Sequence, residues 1–257
     1  MDYNNIILEI KNKISYITIN RPSQLNSLNS ETIKELNKSI IFSEKNKNVR
    51  AIILTGSGNK SFVAGADIKE FSEFNSSQGE ELARTGQDLL FNKLENCSKP
   101  TIAAINGFAL GGGLELAMSC HIRIASKNAK MGLPEVSLGV IPGYGGTQRL
   151  SSLVGKGKAM EMIFTANMIT AEEAFKYGLV NSICDQDELI TKCEKITSQI
   201  CTNSGSAISS AIKAINAGLI DAKNGYEIEK KEFGNCFGTK EFIEGTTAFL
   251  EKRKAEF

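Results

Sequence analysis

Histidine occurs once, at His121, in a chain of 257 residues. A Ser-His-Asp triad would have to use that imidazole, yet it sits early in the presumed strand "HIRIAS", and no G-x-S-x-G turn presents a nucleophile. Metal sites lack their usual ligands too, because the cysteines Cys97, Cys120, Cys184, Cys193, Cys201 and Cys236 never form a C-x-x-C pair. Their wide spacing reads as free thiols in a reducing compartment. Net charge is nearly absent: 30 Lys+Arg against 29 Asp+Glu leave +1, so no global field selects nucleic acid or an anionic membrane. With 7% aromatics there is little for bases to stack on, which weakens an RNA-binding or scaffold reading further. Any anionic ligand must be held locally. The start "MDYNNIILEI" lacks the basic opening and apolar core of a secretion signal, so the expected location is the cytoplasm. Residues 101–120 are apolar and long enough to cross a bilayer, but Asn106, Glu115 and a cluster of glycines would be costly there, and the stretch reads as buried protein interior.

Two familiar phosphate motifs are missing as well. Gly56, Gly58, Lys60 and Ser61 suggest a phosphate loop, but Asn59 rather than glycine precedes the lysine. No G-x-G-x-x-G follows the first strand.

What is present divides the chain in two. "IILEI", "ISYITIN", "RAIILTG", "TIAAI" and "HIRIAS" read as strands, with helices expected from Ser30, as N-cap, to about Glu44 and near 78–96. The segment "GSGNKSFVAGAD" (56–67) reads as a glycine-rich loop. Beyond residue 145 strand signals nearly vanish, and apolar spacing of three and four predicts helices near 188–201, 206–222, 226–235 and 240–252. The expected organisation is an α/β core over 1–195 followed by a helical region over 196–257.

The chemistry concentrates on two carboxylates. Glu115 stands in "GGGLELA", inside an otherwise apolar run, and a carboxylate taken from water is costly unless it gains a partner or a proton. Glu135 stands in "MGLPEVSLG" behind Pro134. On the residues alone each has a plain reading: Glu115 as the partner of a buried arginine such as Arg123, Glu135 as a first-turn residue favoured by the helix dipole. As a pair, each beside a chain breaker in an apolar setting, they fit convergent acid/base chemistry better. Glycine-rich "AGAD" (64–67) and "GGG" (111–113) let backbone N–H groups approach a ligand, and two such donors could serve one developing oxyanion.

"NRPSQLNSLN", "SFVAGADIKE", "KPTIAAINGFALGGGLELAMSC", "PEVSLGVIPGYGGTQRL", "AMEMIFTA" and "AFLEKRKAEF", in this order along essentially the whole chain, resemble the crotonase (enoyl-CoA hydratase) family, and in particular its short-chain members from bacterial butyrate-type metabolism. The resemblance implies a superhelix of ββα units with C-terminal helices that build trimers or dimers of trimers. It implies an acyl-CoA thioester as substrate, with no separate cofactor. The reaction would be reversible hydration of short-chain trans-2-enoyl-CoA, crotonyl-CoA for example, to 3-hydroxyacyl-CoA. By position, Ala66 and Gly112 would supply the oxyanion hole, while Glu115 and Glu135 would hold one water. Ala64 and Ala66, Asp67, Ile68 and Lys69 would meet the CoA moiety, with Phe249 and Lys252 reaching CoA of a neighbouring subunit. Relatives with other chemistry, isomerases among them, usually lack one or both glutamates. Two positions depart from the family pattern: His121 where aspartate is common and Leu133 where glutamine often stands.

Overall fold

A computed structural model of the chain describes residues 3–257. It opens on an antiparallel hairpin, β1 (Ile6–Lys11) and β2 (Ile14–Ile19). Next comes α1 (Ser30–Lys45), capped by the Asn29 side chain, which accepts from Thr32 N–H at 2.8 Å. The cap therefore sits one residue before the expected Ser30, because Asn29 is the last residue with extended backbone. The chain continues through β3 (Ala51–Gly56), β4 (Ser61–Val63) and α2 (Ser76–Gly86), which passes by a π-helical turn, Gln87–Phe91, into α3 (Asn92–Glu95). Then come β5 (Thr101–Ile105), β6 (Phe108–Leu110), α4 (Gly112–Ser119), β7 (Ile122–Ser126) and β8 (Lys130–Gly132). The remainder is α5 (Gly146–Val154), α6 (Lys156–Thr165), β9 (Ile169–Thr170), α7 (Ala171–Lys176) and β10 (Ser182–Cys184), followed by α8 (Leu189–Ile200), α9 (Gly205–Ile220), α10 (Ala222–Cys236) and α11 (Lys240–Leu250).

The strands sort into two sheets of order β1-β2-β3-β5-β7-β10 and β4-β6-β8-β9. Apart from β1 and β9, neighbours run parallel. Three times the chain lays a strand in the first sheet, steps to the second, and then turns helical: β3 to β4, β5 to β6, β7 to β8. This is the expected superhelix of ββα units. Residues 101–120 form β5, β6 and the buried α4, not a membrane span, and among the described residues no helix is long and apolar enough to cross a membrane.

Strand periodicity divides the core. Ile52, Leu54, Ala103 and Ile105 point into the large core that also takes Leu36, Ile40, Phe91 and Leu116, while Ile53, Ile102 and Ala104 point the other way, onto Leu189 and Cys193 of α8. A sheet covered on both faces explains the nearly unbroken apolar strands "AIILTG" and "TIAAI". Beyond α8, which runs across residue 195, α9 and α10 pack on each other and α11 follows.

Candidate active site

The second sheet gathers the site. Its strands β4, β6 and β8 are adjacent and parallel, so the residues following them emerge at one edge. Ligand sites favour the carboxyl ends of parallel strands for this reason. Ala66 follows β4, Gly112 and Glu115 follow β6, and Glu135 follows β8 behind Pro134. Three stretches far apart in sequence thus converge because they occupy one position in successive ββα units.

Two backbone donors face the same space. Ala66 forms a parallel bridge with Leu28 in which Leu28 N–H donates to Gly65 C=O at 2.9 Å and Asp67 N–H donates to Leu28 C=O at 2.7 Å. In such a bridge the N–H of the middle residue, Ala66, points away from Leu28. The Ala66 nitrogen lies close to Gly112: a β-carbon built on Gly112 would stand 3.6 Å from it. Gly112 is the first residue of α4, whose first turn-to-turn bond runs from Glu115 N–H to Gly111 C=O at 3.0 Å, so Gly112 N–H has no intrahelical acceptor. The helix dipole adds positive potential there.

Glu115 is 1% exposed and does not pair with Arg123. Instead its Oε1 accepts from Tyr144 N–H at 2.8 Å and from Gly146 N–H at 2.7 Å. Arg123 donates to the carbonyls of Leu179 and Cys120. Burial first, and then repulsion from Glu135, push the Glu115 carboxyl up to about 7, against the opposing pull of its two N–H donors and Arg149. Burial also raises Glu135, whose Oε2 is buried without a hydrogen-bond partner. Glu135 does open a short 3-10 turn, Glu135–Leu138, as a first-turn residue would, but its carboxyl is turned inward. Gly111 makes room for it: its φ is +49°, and a β-carbon there would come within 2.8 Å of Glu135 Oε1. Two neighbouring buried carboxyls that resist ionisation can exchange a proton with a bound water near neutral pH.

The remaining residues implied by the resemblance divide into two groups. Ala64 and Asp67 are half-buried beside the donor loop, with Asp67 ion-paired to Arg21 at 3.3 Å, while Ile68 and Lys69 are exposed just beyond. Phe249 and Lys252, at the end of α11, are exposed and make no hydrogen bond or ion pair with the glutamate cluster within this chain. His121 does not touch the glutamates: its Nδ1 accepts from Thr101 N–H at 3.0 Å and its Nε2 faces Glu95 C=O at 3.0 Å, a neutral ring whose proton affinity burial lowers. Leu133 is fully buried in the large core. Sequence reading missed Tyr144 and Gly146 as anchors of Glu115. Their contribution is backbone N–H, and the only trace was the glycine-rich "PGYGG".

Comparison with known proteins identifies the family. The enoyl-CoA hydratase/isomerase family model covers residues 9–257. A short-chain-enoyl-CoA hydratase of Clostridium acetobutylicum is 50% identical over 100% of this chain and 98% of its own length. A crotonyl-CoA hydratase of Syntrophomonas wolfei is 46% identical over 100% of this chain and 99% of its own. The crystal structure of an enoyl-CoA hydratase from Bacillus anthracis superposes with a TM-score of 0.91 at 39% identity, covering 99% of both chains. A likeness of that extent in sequence and in fold places the chain in the enoyl-CoA hydratase/isomerase family, the crotonase family expected from its motifs.

Proposed function

We propose that the protein is a lyase that reversibly hydrates short-chain trans-2-enoyl-CoA thioesters, crotonyl-CoA among them, to 3-hydroxyacyl-CoA. The observation that carries this reading is the pair of buried carboxyls, Glu115 and Glu135, both raised in proton affinity, beside the N–H groups of Ala66 and Gly112. The names of its two curated relatives support the substrate class. In this reading the thioester oxygen sits between the two N–H donors, which hold the enolate charge as it forms. One carboxylate takes a proton from water, the water oxygen bonds to C3, and the other carboxyl gives its proton to C2. Water has then added across the double bond, and the pair still holds one proton, now on the other carboxyl. Dehydration is the same path reversed.

Nothing is oxidised or reduced, so the reaction calls for no nicotinamide; in this reading the two carboxyls activate the water and the two N–H donors polarise the thioester, the roles a metal would otherwise fill, and CoA enters as part of the substrate. An isomerase would need only one carboxyl as a shuttle, whereas the retained pair favours hydration. Ala64 and Ala66 to Lys69 are assigned to the CoA moiety. Phe249 and Lys252, exposed at the end of α11, are assigned to CoA bound by a neighbouring copy in a trimer or dimer of trimers, with residues 196–257 building the contacts. Six unpaired thiols fit a reducing cytoplasm. The test is the ultraviolet absorbance of crotonyl-CoA after addition of purified protein. Loss of the conjugated enoyl band with formation of 3-hydroxybutyryl-CoA is expected, and an unchanged band would overturn the reading.

A further inference from the structure

Glu115 is held by a loop, and that loop is held in turn. The loop's peptide units are planar, so a bond to one carbonyl orients the N–H of the next residue as well. The unit joining Gly143 to Tyr144 presents its N–H to Glu115 Oε1, and its carbonyl accepts from Gln87 Nε2 at 2.7 Å. The unit joining Gly145 to Gly146 presents its N–H to the same oxygen, and its carbonyl accepts from the N–H of Gln148 at 3.1 Å and of Arg149 at 2.9 Å. Between them lies the Tyr144–Gly145 unit, whose carbonyl accepts from Arg149 Nη1 at 2.9 Å. Gly145 has φ +94° and lacks the side chain that would otherwise restrict this middle unit. The two donor units hang from the α-carbons at its ends, so the Arg149 bond to its carbonyl restrains the loop segment that joins them.

Arg149 is itself fixed. Its side chain is 10% exposed, and it forms a two-pronged pair with Glu95, Nε to Oε1 at 3.1 Å and Nη2 to Oε2 at 2.7 Å, with Nη2 also donating to Asn92 Oδ1 at 3.0 Å. The carbonyl of Glu95 faces the His121 ring at 3.0 Å and accepts from Asn216 of α9 at 2.8 Å. The guanidinium fork therefore ties α3 to the loop with a geometry that a lysine ammonium cannot reproduce.

We infer that Arg149, clamped by Glu95, is a positioning residue for hydration: it locks the Tyr144–Gly146 loop so that both N–H groups hold Glu115 in its reactive orientation. Its role rests on the reading of Glu115 as a catalytic carboxyl. Its charge also bears on Glu115. The charged and titratable groups that face that carboxyl are Glu135, Tyr144 and Arg149, and only Arg149 favours its ionised form.

The experiment compares Arg149→Gln, Arg149→Lys, Gln87→Met and Glu115→Gln in full-length protein, following kcat and KM for crotonyl-CoA across pH. A displacement of reacting groups by about 1 Å costs about 10²-fold, so kcat of Arg149→Gln should fall by about that factor with KM unchanged. The limb of its pH profile in which Glu115 ionises should move to higher pH, because a positive charge that favoured ionisation is gone. Arg149→Lys should lose kcat similarly but leave that limb in place, since the charge remains while the fork is lost. A normal kcat in Arg149→Gln, with Glu115→Gln inactive, overturns the positioning role while leaving the catalytic reading intact. Near-normal hydration by Glu115→Gln overturns the catalytic reading itself. Should Arg149→Gln fail to fold, Gln87→Met, which releases only the Gly143 carbonyl, decides: lowered kcat at unchanged KM supports the loop's role, and normal kcat refutes it.

Discussion

Gly146 N–H donates to Glu115 Oε1 at 2.7 Å, and a β-carbon on Gly146 would stand 2.8 Å from that same oxygen. The residue that holds the carboxylate is also one that cannot carry a side chain without displacing it. Gly146 begins α5, where alanine is well tolerated by the backbone. Gly146→Ala should therefore keep its helix content while kcat falls by about 10²-fold, the cost of a misplaced catalytic group. Circular dichroism and steady-state hydration check this together, and full activity would show that the contact does not fix Glu115.

Burial of the pair makes a prediction about stability. Glu115 is pushed up to about 7 from the ordinary carboxylate value of 4.5, so between these two pH values the unfolded chain ionises it while the folded chain does not. Its contribution is fully present below pH 4.5 and is lost as pH rises to about 7. Glu135 is raised too and acts with the same sign. Glu115→Gln removes this penalty, so its Tm should exceed that of the unsubstituted protein by a margin that widens from pH 4.5 to 7. A margin that is constant or narrows, measured by calorimetry at matched ionic strength, would contradict the burial of an ionisable Glu115.

The first sheet could be read from the sequence because its central strands bury both faces and are five or six residues long, as in "AIILTG" and "TIAAI". The second sheet could not. Its strands Ser61–Val63, Phe108–Leu110 and Lys130–Gly132 have three residues each, too few to show a period, and β4 lay hidden in what read as a glycine-rich loop. Yet that sheet positions the site. Glu115 was conspicuous because a carboxylate among apolar residues demands a reason, and Glu135 stood out beside Pro134. Tyr144 and Gly146 left no such mark, since a backbone donor carries no residue-specific signal. Nothing in the sequence singles out Arg149, and only the fold shows it reaching both Glu95 and the loop.

The C-terminal arm makes its own prediction. Ile220, Tyr226 and Phe233 on α9 and α10 are 89%, 68% and 67% exposed in the single chain, a set of large apolar groups that an assembly would cover. Sedimentation should give a mass that is a multiple of three protomers, and Phe233→Asp should shift it to smaller species. A monomer at micromolar concentration contradicts the assigned assembly.

Lys252 is exposed and forms no ion pair with the described residues. If it meets CoA phosphate of a neighbouring copy, Lys252→Ala should raise KM more at low salt than at high salt, where screening already weakens the contact. An effect independent of salt would assign the residue to packing instead.

The central claim is that Glu115 and Glu135 act as a unit on one water. The measurement that tests it most directly is kcat for crotonyl-CoA hydration in Glu115→Gln, Glu135→Gln and the double variant, each confirmed folded. Glutamine keeps the shape but cannot exchange a proton, so each single change should lower kcat by at least ~10²–10⁴. The double variant should be far less impaired than the product of the two losses, because either one already disables the mechanism. Near-normal hydration in both single variants would make the two glutamates structural and the account wrong.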